Sequence, residues 1–193
     1  MKKKVLIIMG HPDTDSYASA LADAYQKGAE RVAEVRQLNV AELKFDPILH
    51  KAYKEIQELE PDLLNAQKDI KWADHIVWVY PTWFGSPPAL MMGFISRVFH
   101  PSFAFKYKRK TDLIPYKLLK GRSARLIITM DDYPLIDNFV FRHSIIRVMK
   151  KSVLWLSGIK PIRSILIGPV KRFDLKKRKK WLEKIEGLGR RVV

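Results

Sequence analysis

The chain has 193 residues and no cysteine, and its 36 lysines and arginines against 20 acidic residues give a formal net charge of +16. An apolar fraction of 47% argues against disorder, and this length supports one domain with a substantial core, taken here as residues 1–193. The absence of cysteine excludes disulfides, thiolate zinc sites and a cysteine nucleophile, and we expect no metal site. It fits a reducing compartment, so we expect a cytoplasmic protein.

Five short apolar runs predict the strands of a sheet. They are residues 5–9, 32–40, 76–80, 124–130 and 162–167. The first and third runs are apolar throughout rather than alternating, which is typical of strands covered on both faces, whereas the other three include polar residues. The first run is preceded by Lys2, Lys3 and Lys4, but it is far too short for a membrane-spanning helix or a signal peptide.

Segments with helical spacing separate these runs. They are residues 16–31, 61–73, 87–99, about 138–156 and 174–190, with Gly158 closing the fourth and Asp174 opening the fifth. Strand and helix therefore alternate five times. This order predicts an α/β flavodoxin-like three-layer sandwich, whose five-stranded parallel sheet has the order 2-1-3-4-5 with helices on both faces.

The positive charge is concentrated in two regions. Residues 97–125 carry nine lysines and arginines against the single acid Asp112, and residues 101–121 of this region are predicted to be a long irregular connection. Lys171–Lys180 form the second cluster, for which a solvated helix face is the simplest interpretation. A basic surface favours anionic partners, and a peripheral contact with an anionic membrane is one expectation. We find no nucleic-acid-binding motif and expect no nucleic-acid partner.

The loop after the first strand leads into a helix N-terminus, where a parallel sheet places ligands. It contains neither standard glycine-rich nucleotide fingerprint. His11, Asp15, Ser16 and Tyr17 are nevertheless candidate binding residues, because the free N–H groups of a helix start can hold a phosphate. In the alternative interpretation, Asp13 or Asp15 simply caps the helix.

The loop after the third strand places large aromatic residues where polar ones are the rule. Trp83 and Phe84 lie between prolines, and Gly85 allows a close approach or a positive φ. Pro81 and Thr82 complete a stiff segment that predicts a platform for a flat aromatic ligand. The alternative is that the two aromatic residues cap the core or form a dimer contact.

The loop after the fourth strand supplies the remaining candidates. Thr129, Met130 and Asp131 lead to Tyr133, which we expect to lie over the same ligand or to bond it. Asp131 and Asp132 are also common turn residues, so a turn alone explains them equally well.

Short motifs along almost the whole chain match a known family in order. They are His11-Pro12 with Ser16-Tyr17, Phe45-Asp46-Pro47-Ile48, the segment 81–90, the segment 93–99, Phe103-Ala104-Phe105 and the segment 158–161. Together they resemble the flavodoxin-like NAD(P)H:quinone oxidoreductases of the DT-diaphorase and modulator-of-drug-activity type. The resemblance implies a bound flavin, with FMN favoured over FAD, and NAD(P)H as co-substrate. It also implies a quinone-like acceptor and a homodimer.

The same resemblance assigns roles and shows departures. It points to Tyr133 and His143 as candidates for acceptor protonation, although an isolated histidine on an exposed helix face is the simpler interpretation of His143. Many relatives have Thr-Gly-Gly where this chain has Thr129-Met130-Asp131. A non-catalytic or regulatory flavodoxin-like subunit, for example of a potassium-efflux transporter, is therefore the alternative function. A basic binding protein without flavin is the third.

Overall fold

The computed structural model describes residues 2–52, 54–55, 57–109, 111–139, 142 and 144–192. The strands in these ranges are β1 (Lys3–Met9), β2 (Ala33–Asn39), β3 (His75–Pro81), β4 (Phe105–Lys106), β5 (Tyr116–Lys117), β6 (Ser123–Thr129) and β7 (Ile162–Ile167). All but β4 and β5 form one parallel sheet in the order β2-β1-β3-β6-β7. Counting only these long strands gives the order 2-1-3-4-5, so the fold prediction is confirmed.

Helices cover both faces of this sheet. The α-helices are α1 (Tyr17–Ala29), α2 (Pro61–Trp72), α3 (Ala89–Val98), α4 (Pro134–Phe139), α5 (Ser144–Arg147) and α6 (Leu175–Gly189). Val40–Glu42 and Val170–Arg172 are 3₁₀ turns, and Val148–Trp155 is a π-helix. No helix in the described ranges is both long enough and apolar enough to cross a membrane.

The two faces of the sheet form two separate cores. Ile7 of β1 and Val77 of β3 point towards α1 and α6, whereas their neighbours Leu6 and Trp78 belong to the core under α2 and α3. This alternation explains why β1 and β3 are apolar at every position from Val5 to Met9 and from Ile76 to Tyr80.

Helix α1 is held in place by a close contact with α6. A Cβ atom on Gly28 would lie 2.1 Å from the carbonyl oxygen of Glu186, so only glycine fits at this point. The contact fixes the direction of α1, and with it the position of the helix N-terminus at the carboxyl ends of the strands.

The predicted fourth helix is wrong in its start and its regularity. Helix α4 spans Pro134–Phe139, Arg142 has a φ of +50°, and α5 begins at Ser144. Asp137 is buried and its Oδ1 accepts a bond of 3.4 Å from the N–H of Ile145. The Asp137 carboxylate therefore bonds a free N–H group at the start of a second helix. In a single continuous helix this N–H would bond a backbone carbonyl instead. Gly158 does end the segment, with a φ of +99°.

The predicted irregular connection 101–121 contains a small hairpin instead. Phe105 pairs with Lys117 and Lys106 with Tyr116 in an antiparallel ladder. The N–H of Leu118 donates to the carbonyl oxygen of Ala104 at 3.0 Å, which extends the hairpin towards the main body of the protein.

Candidate functional site

A cleft of about 160 Å³ lies where the carboxyl ends of β1, β3 and β6 meet. Residues from four loops line it: His11, Ser16, Tyr17, Ala18, Pro81, Thr82, Trp83, Thr129, Met130, Asp131 and Val170. This is the edge at which open parallel sheets bind their ligands.

The loop after β1 is ordered by its own side chains. The N–H of Asp13 donates to Nδ1 of His11 at 2.9 Å, so the neutral imidazole carries its proton on Nε2 and can donate from there. The Oδ1 atom of Asp13 accepts from the N–H of Asp15 at 2.9 Å. The hydroxyl oxygen of Ser16 accepts from the N–H of Ser19 at 3.2 Å and caps α1. The interpretation that Asp13 or Asp15 caps this helix is therefore wrong.

The N-terminus of α1 opens into the cleft. The N–H groups of Tyr17 and Ala18 belong to the first turn, which has no preceding helical carbonyl to bond. Both residues line the cleft, so these donors and the positive end of the helix dipole are available to an anion there.

Tyr17 contributes its ring but not a free hydroxyl. Its hydroxyl donates to the carbonyl oxygen of Arg178 at 3.0 Å, and the Arg178 guanidinium lies 4.9 Å from the ring centroid. Burial raises the pKa of Tyr17, although the positive charge of Arg178 opposes the shift. The side chain therefore ties α1 to α6 beneath the cleft.

The loop after β3 is a tight turn that begins with two adjacent aromatic residues, Trp83 and Phe84. Trp83 and Ser86 exchange two backbone hydrogen bonds of 2.9 and 3.0 Å. Between them, Phe84 and Gly85 have φ values of +50° and +75°, a conformation that glycine adopts freely and phenylalanine does not. Trp83 lines the cleft and is 45% exposed, whereas Phe84 is fully exposed at the tip. Neither side chain lies in the core.

Thr82 has the most distinctive polar atom of the cleft. Its N–H donates to the carbonyl oxygen of Thr129 at 2.8 Å, which joins the loops after β3 and β6. Its hydroxyl oxygen is buried and has no hydrogen-bond partner within the described residues. Buried hydroxyls are nearly always bonded, so this atom is expected to bond a ligand.

In the loop after β6, Met130 is buried and Asp131 lines the cleft. Met130 is buried, and its backbone bonds both Ile167 and Val170 at 2.9 Å. Asp131 forms an ion pair of 2.7 Å with Lys171, which raises the pKa of that lysine. The pair neutralises a carboxylate that would otherwise repel an anionic ligand.

The structure brings most of the sequence candidates together, but not all of them. Asp15, Phe84, Gly85 and Tyr133 do not line the cleft. The hydroxyl of Tyr133 accepts from the Arg172 guanidinium at 2.9 Å. His143 lies outside the described residues.

Sequence reasoning missed two lining residues. Ala18 is the second residue of α1, and it offers the cleft its backbone N–H. The alanine side chain itself gives no sign of this role in the sequence. Val170 follows β7, the strand next to β6, and its N–H bonds the carbonyl oxygen of Met130. The adjacency of β6 and β7 was the available signal.

The residues of this cleft fit a flavin. The unpartnered Thr82 hydroxyl suits the polar edge of a heterocycle, and the half-exposed Trp83 indole suits its planar face. The start of α1, with the Nε2–H of His11 nearby, suits a phosphate.

Comparison with known proteins agrees with the architecture. The family described as flavodoxin-like fold matches residues 3–188. A solved FMN-dependent NADH-azoreductase from Bacillus anthracis, in complex with FMN, superimposes with a TM-score of 0.71 over 98% of this chain and 99% of its own, at 19% sequence identity. At that identity the likeness shows the fold alone.

Two curated relatives are similar in sequence. NAD(P)H dehydrogenase [quinone] 1 of Cavia porcellus is 30% identical over 142 residues, which is 62% of this chain and 51% of that protein. An uncharacterised NAD(P)H oxidoreductase of Haemophilus influenzae is 28% identical over 189 residues, covering 92% of this chain and 90% of that protein. The chain thus spans about half of the first relative and nearly all of the second. Together with the observed sheet order, the family match shows that this chain belongs to the family of proteins with the flavodoxin-like fold.

Proposed function

We propose that this protein is a flavin-dependent NAD(P)H oxidoreductase that passes two electrons from NAD(P)H to a quinone-like acceptor. The observation that carries the proposal is the buried, unpartnered hydroxyl of Thr82 beside the half-exposed indole of Trp83, at the ligand-binding edge of the sheet. The names of both sequence relatives, which refer to NAD(P)H oxidation, support it.

The chemistry that a flavin supplies when bound is acceptance of a hydride from a nicotinamide and its transfer onward as two electrons. This chain's part is to bind and orient. Thr82 donates or accepts a hydrogen bond at the ring edge, and Trp83 contacts the ring and excludes water from one side. Tyr133 does not line the cleft, so its proposed role as proton donor to the acceptor rests on the family resemblance.

FMN is the favoured flavin. FMN ends in a phosphate monoester, which concentrates nearly two negative charges on one phosphate. In FAD each phosphate of the diphosphate link carries only one negative charge. The first-turn N–H groups of Tyr17 and Ala18 and the Nε2–H of His11 form a compact set of donors for such a group. The FMN held by the azoreductase of the same fold supports this preference.

A homodimer would complete the site. The cleft holds about 160 Å³, whereas sites that bury small molecules usually enclose roughly 300–1,000 Å³. One copy therefore covers only part of a flavin and of its nicotinamide. We propose that a second copy covers the rest.

A non-catalytic flavodoxin-like subunit is the second candidate, and one observation favours it. Asp131 lines the cleft at a position where the family resemblance leads us to expect glycine, and Met130 before it is buried. A carboxylate at this place changes the contact to any ring bound there.

The test uses the purified full-length chain. Absorbance at about 450 nm reports bound flavin, and mass measurement of the cofactor released by boiling separates FMN from FAD. NADPH oxidation is then followed with menadione as acceptor. Turnover with bound flavin supports the enzyme, bound flavin without turnover supports the non-catalytic subunit, and a protein that cannot be loaded with either flavin contradicts both.

A further inference from the structure

One ring contact joins the loops after β1 and β3 at the wall of the cleft. The centroids of the His11 imidazole and the Trp83 indole lie 5.7 Å apart, and the two planes meet at 77°. This is edge-to-face geometry, which aromatic pairs favour over direct face-to-face stacking. Both residues line the cleft and belong to one chain, so the contact does not require a second copy.

The Trp83 side chain is only partly fixed by its own loop. Its backbone is held by two bonds to Ser86, but backbone bonds leave the side-chain torsions free. The residue is 45% exposed, and among the described residues His11 has the only aromatic ring in contact with the indole. A half-exposed side chain samples several rotamers, and ordering it on binding costs conformational entropy.

His11, by contrast, is held from outside the cleft on two sides. Its backbone N–H donates to the Sδ atom of the buried Met9 at 3.2 Å, and its Nδ1 accepts from the N–H of Asp13 at 2.9 Å. The first bond fixes the backbone, and the second fixes the rotation of the ring. The imidazole is therefore a rigid support for the indole, and its Nε2–H has no partner among the described residues.

We propose that His11 is a positioning residue for Trp83. Its ring orients the indole for the isoalloxazine plane, in addition to the hydrogen bond that its Nε2–H offers to the phosphate. One side chain thereby couples the two ends of a bound FMN, so that a change in the phosphate loop also weakens binding of the ring. This inference rests on the proposed flavin function and deepens it.

Riboflavin separates the two roles of His11, because it has the ring of FMN but no phosphate. A role confined to the phosphate affects FMN alone, whereas a role in orienting Trp83 affects riboflavin too. His11→Phe keeps an aromatic ring and removes both nitrogens. His11→Gln keeps an N–H donor near the place of Nε2 and removes the ring.

The two variants are matched in the bond that they lose. In both of them the N–H of Asp13 has no imidazole acceptor, and because Asp13 is exposed, water replaces that bond at small cost. A difference between the variants therefore reports the ring and the N–H donor alone. Both are first checked for an unchanged melting temperature.

The experiment measures the dissociation constants of riboflavin and FMN by flavin fluorescence, with the full-length protein. His11→Gln should bind riboflavin about 3- to 10-fold more weakly, the range of one edge-to-face aromatic pair. His11→Phe should bind riboflavin within about twofold of the natural protein, but FMN about 10-fold more weakly. In a Trp83→Ala background, His11→Gln should have no further effect on riboflavin, since its partner is gone.

A measurement without flavin tests the ring contact by itself. When 5-fluorotryptophan replaces the five tryptophans, the fluorine resonance of Trp83 is the one that Trp83→Phe removes. We expect this resonance to be displaced from its unfolded-chain value in the natural protein and in His11→Phe. In His11→Gln it should move towards the unfolded-chain value.

Unchanged riboflavin affinity in His11→Gln would overturn the positioning role. So would an equal loss with and without the Trp83 side chain, or a Trp83 resonance that does not move in His11→Gln. If the natural protein binds neither flavin, the proposed function fails, and the fluorine resonance alone then decides whether His11 orients Trp83.

Discussion

The two edges of the parallel sheet differ in how their polar side chains are used. At the N-terminal edge they bond across the sheet, although Nε2 of His75 has no partner among the described residues, whereas at the C-terminal edge the Thr82 hydroxyl makes no such bond. At the first edge, Asp74 accepts from the N–H of Lys4 at 3.0 Å, and His75 shares a bond of 2.8 Å with Ser123. At the second edge, Thr82 has a buried hydroxyl without a partner in the described chain, and Trp83 is half exposed.

The difference separates stability from binding within one sheet. Both edges come from the same strand, since β3 begins at His75 and ends at Pro81. Side chains that bond each other lower the free energy of the folded state, while side chains left open retain their bonding capacity for a ligand. Changes at one edge should therefore affect unfolding, and changes at the other should affect flavin binding.

The largest expected effect is at the N-terminal edge. His75→Ala empties a fully buried position and removes the partner of Ser123, so we expect the free energy of unfolding to fall by about 2 to 3 kcal/mol. Urea denaturation measures this. The folded fraction should still bind FMN with unchanged affinity, and a matching loss of FMN affinity would contradict the separation.

Trp83→Ala tests the opposite edge. It removes the aromatic wall of the cleft, so we expect the dissociation constant of FMN to rise about 10- to 100-fold, equivalent to about 1.4 to 2.7 kcal/mol. Titration followed by flavin fluorescence measures it. Phe84→Ala, at the exposed tip of the same turn, is the control and should have a smaller effect. A collapse of the melting temperature with FMN affinity intact would place Trp83 in the structural core instead.

His75 also predicts a pH dependence. Burial, with the positive charges of Lys3, Arg125 and Arg163, lowers the pKa of His75 from 6.5 to about 3. Because the unfolded chain takes up this proton first, the contribution of His75 to stability is present above about pH 6.5 and is lost as the pH falls towards about 3. His75→Asn does not titrate, so between about pH 7 and 5 the natural protein should lose about 1 to 2 kcal/mol more than this variant. Parallel unfolding curves at the two pH values would show that His75 is not the responsible group.

Thr82 provides the smallest and most selective change. Thr82→Val keeps the shape of the side chain and removes the hydroxyl, so FMN should bind about 2- to 10-fold more weakly. Thr82→Ser restores the hydroxyl and should recover most of that affinity. If the serine variant binds no better than the valine variant, the hydroxyl is not what contacts the ligand.

Sequence patterns were sufficient for the central sheet because its strands are buried on both faces. Residues 5–9 and 76–80 are apolar at every position. Burial on both faces requires such a run, and the run can be recognised in the sequence alone. The Asp174 cap was equally visible, because the residue lies directly before a helical repeat, and its Oδ1 does accept from the N–H of Lys177 at 2.7 Å.

Features that depend on distant contacts were not predictable. The hydroxyl of Tyr17 is engaged by Arg178, which is 161 positions further along the chain. The strands β4 and β5 have two residues each, too few to show any periodicity. Phe84 adopts a positive φ that its residue type disfavours. The turn, and not the residue types, therefore places the Trp83 side chain at the cleft and the Phe84 side chain in solvent.

The most direct test of the central claim is a crystal structure of the full-length protein grown with FMN. The account predicts that the isoalloxazine ring contacts the Trp83 indole, that a ring heteroatom lies within hydrogen-bond distance of the Thr82 hydroxyl, and that the phosphate lies at the start of α1. FMN bound elsewhere, or a Thr82 hydroxyl that stays without a partner in a flavin-loaded protein, would contradict it.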